Sequence, residues 1–391
     1  MELKSGYKQT EVGVIPEDWE VSNIGQACRI VTTGKLDANA MVESGEYKFF
    51  TCAREVYQID NYAFDCEALL ISGNGAHVGY IHYYEGRFNA YQRTYVLTDF
   101  SAHIKFVQCV LENSFRDRIQ TEVRAGGTPY ITRSTITESP IPLPPTKAEQ
   151  EAIAEALSDA DALIASLEQL IAKKRLIKQG AMQELLTGKH RLPGFSGDWE
   201  EKTLGDVVET DPENLGANTP ADYRFNYVSL EDVQLGYLAS FTEQDFATAP
   251  SRARRKIKHD DILMSTVRPN LKAHLHFQSH DSDWICSTGF CVLRCRDGLC
   301  SPSYVFAHLF ARAINKQIDA LLTGSNYPAI NSKDVRGLSL LIPSVEEQTA
   351  IATVLSEMDE EIDALETKLS KARLLKQGMM QELLTGRIRL V

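Results

Sequence analysis

Between residues 153 and 171 the apolar side chains fall at Ile153, Leu157, Ala160, Ile164, Leu167 and Ile171, in alternating steps of four and three. The same alternation returns at Ile351, Leu355, Met358, Ile362, Leu365 and Leu369. A stripe of this period marks a long helix that packs on another element through a narrow seam. Each stripe follows a proline-rich lead-in, IPLPPT or LIPSVE, whose Pro145 and Pro343 suit a helix start. Each closes on a matched phrase, KQGAMQELLTG at Lys178–Gly188 and KQGMMQELLTG at Lys376–Gly386. Gly180 and Gly378 are expected to weaken or kink the helices, and Gly188 and Gly386 to end them.

Shifted by 198 residues, Pro145–Leu192 aligns with Pro343–Leu390 without a gap, and roughly 27 of the 48 positions are identical, which marks an internal duplication. A narrow seam cannot be left in water. Near-identity of the copies favours packing of the two helices on each other, antiparallel, over packing of each on its own neighbouring domain. The flanking segments repeat more faintly. DWEVSNIG with Trp19 is answered by DWEEKTLG with Trp199, ALLISGNG (Ala68–Gly75) by DILMSTVR (Asp261–Arg268), and TYVL (Thr94–Leu97) by FCVL (Phe290–Leu293). Both tryptophans are expected to anchor cores. Runs rich in β-branched and aromatic residues predict strands at Tyr80–Tyr84 and Thr94–Leu97, and helical spacing predicts helices at Ile104–Arg118 and Ser303–Leu322. The expected fold is α+β (mixed α/β) with a pseudo-twofold repeat: a globule over residues 1–144, a helix over 145–192, a second globule over 193–342 and a C-terminal helix over 343–391.

Composition changes this picture little. With 391 residues, 43% hydrophobic and 24% charged, the chain has the balance of a folded protein of two or more domains. No window reaches ~18 uncharged apolar residues, and MELKSGYKQTEVG has no apolar stretch of the kind a secretory signal carries, so a cytoplasmic protein without membrane association is expected. Eight cysteines are scattered without a CxxC. Cys286, Cys291, Cys295 and Cys300, downstream of His274, His276 and His280, have poor spacing for zinc and read as structural thiols.

EQEAIAEALSDADALI and EQTAIATVLSEMDEEI, the two QELLTG endings, IPEDWE, LLISGNGAHVG, QRTYVL and LMSTVRPNLK together resemble the specificity subunits of Type I restriction–modification systems, over essentially the whole chain. The resemblance implies two target recognition domains, each reading half of a bipartite double-stranded DNA sequence. It implies two helices that act as a spacer and as the docking surface for two methyltransferase subunits and, through them, restriction subunits. S-adenosylmethionine would belong to the methyltransferase partner, and ATP with Mg to the restriction partner. The chain itself would bind no cofactor or metal and have no catalytic residue. The positions it implies for subunit docking are Gln150, Ile153, Leu185 and Leu186 in the first copy and Gln348, Ile351, Leu383 and Leu384 in the second. A spacer of roughly 50 Å, at 1.5 Å per residue, would set the number of unread base pairs, so four residues inserted at Ala165 should shift the spacing.

The residues agree with a non-catalytic reading. Gly34-Lys35 and Gly188-Lys189 lack the upstream glycine of a phosphate loop. Pro144-Pro145 is followed by threonine, not by the aromatic residue of an NPPY-like methylation motif. The glycines of SGNGAHVG (Ser72–Gly79) have no following amphipathic helix and suit a turn between strands. Competing readings are a coiled-coil adaptor that binds protein and a self-sufficient modification enzyme with degenerate motifs.

A net charge of −12 and a pI near 5.3 sit awkwardly with DNA binding, where phosphate contacts supply much of the affinity. DNA feels only the patch within about 10 Å, however, and acidic runs such as SEMDEEIDALE lie on the second helix. The densest basic run is SRARRKIKH, with Arg252, Arg254, Arg255, Lys256 and Lys258, which reads as phosphate contact or as a solvated loop. Just beyond it TVRPNLKAH offers Arg268, Asn270 and Lys272, types suited to bidentate base reading. In the first globule the candidates are Lys35, Arg54, Asn74, His77, Gln92 and Arg93. Tyr130 and Tyr327 occupy similar places before each helix, as DNA-backbone contacts or as core.

Overall fold

The computed structural model describes residues 5–122, 128–322 and 328–390; Tyr327 lies outside them. The two seams belong to uninterrupted helices of 39 residues each, Lys147–Leu185 and Val345–Leu383. Neither Gly180 nor Gly378 breaks them. The helices begin two residues after the prolines, because Thr146 and Ser344 take the cap. Thr146 Oγ1 accepts from the Glu149 amide at 3.2 Å and Ser344 Oγ from the Glu347 amide at 3.3 Å. Pro145 and Pro343 stand outside, where they stop the helix from running backward. The chain turns in left-handed conformation at Gly188 (φ +69°) and Gly386 (φ +67°). A side chain at Gly386 would meet the Pro16 ring at 2.5 Å, and one at Gly188 the Trp199 ring at 3.3 Å, so each helix end lies tightly under a tryptophan-bearing segment.

The chain divides into two compact units: residues 1–168 with 367–391, which is built from both ends of the sequence, and the continuous stretch 169–366.

In the first unit six strands lie in the order Cys28–Thr33, Thr94–Phe100, Phe64–Ser72, Ile81–Ala90, Tyr47–Phe50, Tyr57–Ile59. All neighbours are antiparallel except Tyr47–Phe50, which runs parallel to Ile81–Ala90. The SGNGAHVG segment is the turn between two of these antiparallel strands. The helix Ile104–Glu122, four residues longer than its spacing predicts, buries Phe106, Val107, Val110, Leu111 and Phe115 against Leu69, Ile71 and Leu97. Residues 147–168 and 367–383 run antiparallel here: Lys376 meets Asp161 at 2.6 Å and Arg373 meets Glu168 at 2.5 Å. Trp19 is fully buried beside Ile15, Ile24, Ile153, Leu383 and Leu384.

The second unit carries two four-stranded sheets. One orders Val208–Thr210, Phe290–Cys295, Ile262–Ser265 and Leu275–His276; the other orders Thr242–Asp245, Arg224–Val228, Trp284–Ser287 and Ala253–Ile257. The helix expected over Ser303–Leu322 is two, Pro302–Phe310 and Arg312–Leu321. Ala311 between them is extended, and the Asn315 side-chain amide donates to the Leu309 carbonyl and to the Ala311 carbonyl, which also accepts the Asn315 backbone N–H. Residues 169–185 and 345–366 again run antiparallel, with Lys174 on Glu361 at 2.6 Å, Arg175 on Glu366 at 2.5 Å and Lys178 on Asp359. Such exposed pairs contribute less than ~1 kcal/mol each, so they select register more than they stabilise.

The eight residues expected at subunit docking are buried inside the units. Ile153, Leu383 and Leu384 belong to the first core, and Ile351, Leu185 and Leu186 to the second. Gln150 accepts from the His103 amide at 2.8 Å and donates to the Pro144 carbonyl at 2.9 Å; Gln348 treats Ser301 and Pro343 in the same way, both at 2.9 Å. These glutamines join each repeat helix to the start of a domain helix. The matched tails are alike because each fills the same kind of core.

Candidate nucleic-acid interface

In both units the turn after a central strand is fastened to the segment that leads toward a repeat helix. The Gly73 amide donates to Arg93 O and the Ile131 amide to Gly73 O, each at 2.9 Å; Thr266 with Gly289 and Ile330 with Thr266 repeat this at the same distance. The Gly75 amide donates to Pro129 O at 2.9 Å, and the Arg268 amide to Pro328 O at 2.8 Å. Asn74 bridges Tyr130 where Val267 bridges Ala329, so the counterpart of Tyr130 is Ala329 and not Tyr327.

The frame is shared and the side chains differ. In the first unit it opens on a cavity of about 520 Å³ lined by Asn74, Gln92, Arg93, Tyr95 and Tyr130, with Tyr130 half exposed. Gln92 is tied down through its amide to Leu36 O (2.8 Å) and its side chain to Asp37 (2.7 Å), which places Lys35 alongside. Arg54 lies 5.6 Å from the Tyr80 ring, and Cys52 Sγ reaches Arg93 O at 3.4 Å, so residues 52–54 border the same region. His77 is half-buried in the 73–80 turn. Lys35 and Arg93 are exposed and form no ion pair among the described residues.

The corresponding turn of the second unit carries Arg268, Asn270 and Lys272 around a short 3-10 turn, Pro269–Leu271. Arg268 (φ +50°) stands where the first unit has Gly75 (φ +84°), and Lys272 (φ +54°) is left-handed too. Each non-glycine residue in this conformation costs about 1 kcal/mol, so the loop is held by its surroundings. Beneath it His274 is buried, accepts from the Ser265 amide at 3.1 Å, and has its pKa pushed down to about 4 by burial and then by the Lys272 charge, which keeps the ring neutral.

The basic run is not a loop. Its residues Ala253–Ile257 form a strand, and part of its charge is matched internally. Arg255, largely buried, lies 2.8 Å from Asp211, and Lys258 bonds Glu213. Arg294 reaches Glu213 and Asp261, each at 2.7 Å, and Lys258 with Arg294 holds the Glu213 carboxyl below its usual range. Arg254 lies over the Phe246 ring at 4.8 Å. Arg252 stays exposed and Lys256 half-buried, neither in an ion pair among the described residues. The acids responsible lie some forty residues away in sequence, which local reading could not register.

Exposed apolar side chains also lie outside these candidates. Leu235, Tyr237 and Leu271 in the second unit are 71, 57 and 61% exposed. On the repeat helices, Leu176 with Ile177 and Leu374 with Leu375, one pair per copy at matching positions, lie open. Their signal was available, since a narrow seam cannot cover two adjacent apolar residues. Among the described residues all eight cysteines are free, no cluster suits a metal ion, and no helix is long and apolar enough to cross a membrane.

Comparison with known proteins agrees with this duplicated frame. The chain is 26% identical to the Type I restriction enzyme EcoDI specificity subunit of Escherichia coli, over 96% of this chain and 89% of that one. It is 24% identical to the Type I restriction enzyme MjaVIII specificity subunit of Methanocaldococcus jannaschii, over 99 and 96%. The fold is similar to the crystal structure of the Type I restriction–modification S subunit from M. genitalium, with a TM-score of 0.64 at 18% identity over 98% of both chains. A structure describing complex assembly and conformational transition of the Type I system gives 0.54 at 16% identity, over 96% of this chain and 99% of that one. The family pattern for the Type I restriction modification DNA specificity domain matches twice, over residues 16–174 and 196–373, and the chain belongs to that family.

Proposed function

We propose that this chain is the DNA-recognition subunit of a Type I restriction–modification complex and reads a bipartite double-stranded target, one part with each unit. The observation that carries the reading is one backbone frame used twice with different side chains: Asn74, Arg93 and Tyr130 in one unit, Val267, Arg268 and Leu271 in the other. Two readers on one framework fit a target with two unlike halves. The chain performs no chemistry in this reading. S-adenosylmethionine is held by methyltransferase subunits, and ATP with Mg by restriction subunits. Two methyltransferase subunits dock, one near Leu176 and Ile177 and one near Leu374 and Leu375, because these apolar pairs are open and repeat.

The test is a methylation map of genomic DNA from cells expressing the cognate methyltransferase subunit with and without this chain. A new two-part methylated motif that requires the chain is the expected result. Unchanged methylation, with both proteins folded, would overturn the reading in favour of a protein-binding adaptor.

A further inference from the structure

The second unit presents an apolar surface where the first presents a polar one. The hairpin formed by Val233–Gln234 and Tyr237–Leu238 turns at Leu235 (φ +37°) and Gly236 (φ +103°), positions that ordinarily favour asparagine, aspartate or glycine. A leucine there is strained and also exposed. Gly236 bridges Leu275, which fixes the hairpin on the sheet edge, and across an open cavity of about 540 Å³ Leu271 faces the same space from the strained 3-10 turn. Leu230, Val233, Val267 and Ala273 complete its apolar lining. Arg268 borders the cavity and Lys272 follows Leu271 in the same turn, and neither has an ion-pair partner among the described residues, so the surroundings suit a polyanion. Two exposed leucines, Leu235 in left-handed conformation and Leu271 held between the left-handed Arg268 and Lys272, beside unpaired cations fit an apolar group displayed by DNA. The major groove offers one such group, the C5-methyl of thymine.

Resting on the function proposed above, we propose that Leu235 and Leu271 form a clamp for a thymine methyl group in the half-site read by the second unit, with Arg268 bonding an adjacent base edge or phosphate. Gln234 and Glu231 on the rim supply hydrogen-bonding groups for neighbouring bases. The first unit, whose matching cavity is lined by Asn74, Gln92, Arg93 and Tyr130, reads by hydrogen bonds.

The experiment uses the full chain assembled with its methyltransferase subunits and duplexes carrying the mapped motif. Each thymine of the motif, on either strand, is replaced in turn by deoxyuridine, which removes only the methyl group. One thymine within one half-site should show a loss of affinity of about fourfold, the effect of one buried methyl group. In Leu271→Ala, and more completely in Leu235→Ala with Leu271→Ala, that penalty should vanish while selectivity in the other half-site is unchanged. No deoxyuridine penalty at any position, or a penalty that persists in the double variant, would overturn the clamp while leaving the specificity-subunit reading in place. Failure of the unmodified motif to outcompete a scrambled duplex would instead overturn that reading, and the clamp with it.

Discussion

Arg191 lies bidentate on Glu347, with Nε to Oε1 at 2.6 Å and Nη2 to Oε2 at 2.7 Å, and so joins the segment after one repeat helix to the first turn of the other. The other unit repeats the arrangement, with Arg389 on Glu149 and also on Asp18 at 3.0 Å. Both glutamates are buried and each arginine lies near a tryptophan ring, Arg191 by Trp199 and Arg389 by Trp19. Truncating one member strands a buried charge. Arg191→Ala should therefore destabilise the second unit, and Arg191→Ala with Glu347→Leu should recover part of the loss. Urea unfolding of the two variants checks this.

Buried and exposed leucines of the repeat helices should separate stability from assembly. Leu185→Ala removes core contacts and should cost about 2–5 kcal/mol. Leu374→Glu with Leu375→Glu, at 65 and 63% exposure, should change stability by no more than ~0.5 kcal/mol yet leave a complex short of one methyltransferase subunit. Analytical ultracentrifugation of the assembled complex, beside thermal melts of the chain, distinguishes the two outcomes.

Cations of the second unit should differ in their effect on salt dependence. Lys258 is engaged by Glu213 and Arg255 by Asp211, whereas Arg268 and Arg252 are unpaired among the described residues. Arg268→Ala should lower the slope of log affinity against log salt by about one; Lys258→Ala should leave it nearly unchanged. Fluorescence titrations at several salt concentrations measure both slopes.

Acid should loosen the second unit through two buried histidines. Burial pushes His308 down to about 3 and His274 down to about 4, below the usual value near 6.5. On acidification the unfolded chain takes up their protons first. Stability is thus held above about pH 6.5 and falls, by about 1.4 kcal/mol per pH unit for each histidine, as the pH drops toward the folded values. His308→Phe should flatten this fall between pH 6.5 and 4, measured by urea midpoints across that range.

What could be read before the structure was what the chain determines locally. The helical period and the proline and glycine boundaries rest on residues within a few turns of one another, the duplication on matching one such local pattern to another, and the two 39-residue helices followed. Which surface each copy covers is not local. QELLTG looked like a docking end because it repeats, but the identity of what buries Leu185 or Leu383 depends on residues elsewhere in the chain. The same limit hid the acids that neutralise Arg255 and Lys258. It also hid the strained turn at Arg268, since an arginine gives no sign that it will stand where its counterpart is Gly75. Of the first unit's candidates, Asn74, Gln92 and Arg93 do line one cavity; Lys35 precedes Leu36, whose carbonyl accepts from Gln92, and Arg54 follows two residues after Cys52, whose sulfur reaches the Arg93 carbonyl.

Because residues 367–391 complete the unit that contains residues 1–168, order of synthesis and order of completion are opposed. A ribosome delivers Ile15, Trp19 and Ile153 long before Leu383 and Leu384, which share their core. Residues 169–366 can close as soon as they emerge, while the earlier-made sheet waits with one side of its core uncovered. The domain translated first is the last to be finished, and during that interval it is the part of the nascent chain that most needs protection from aggregation and proteolysis.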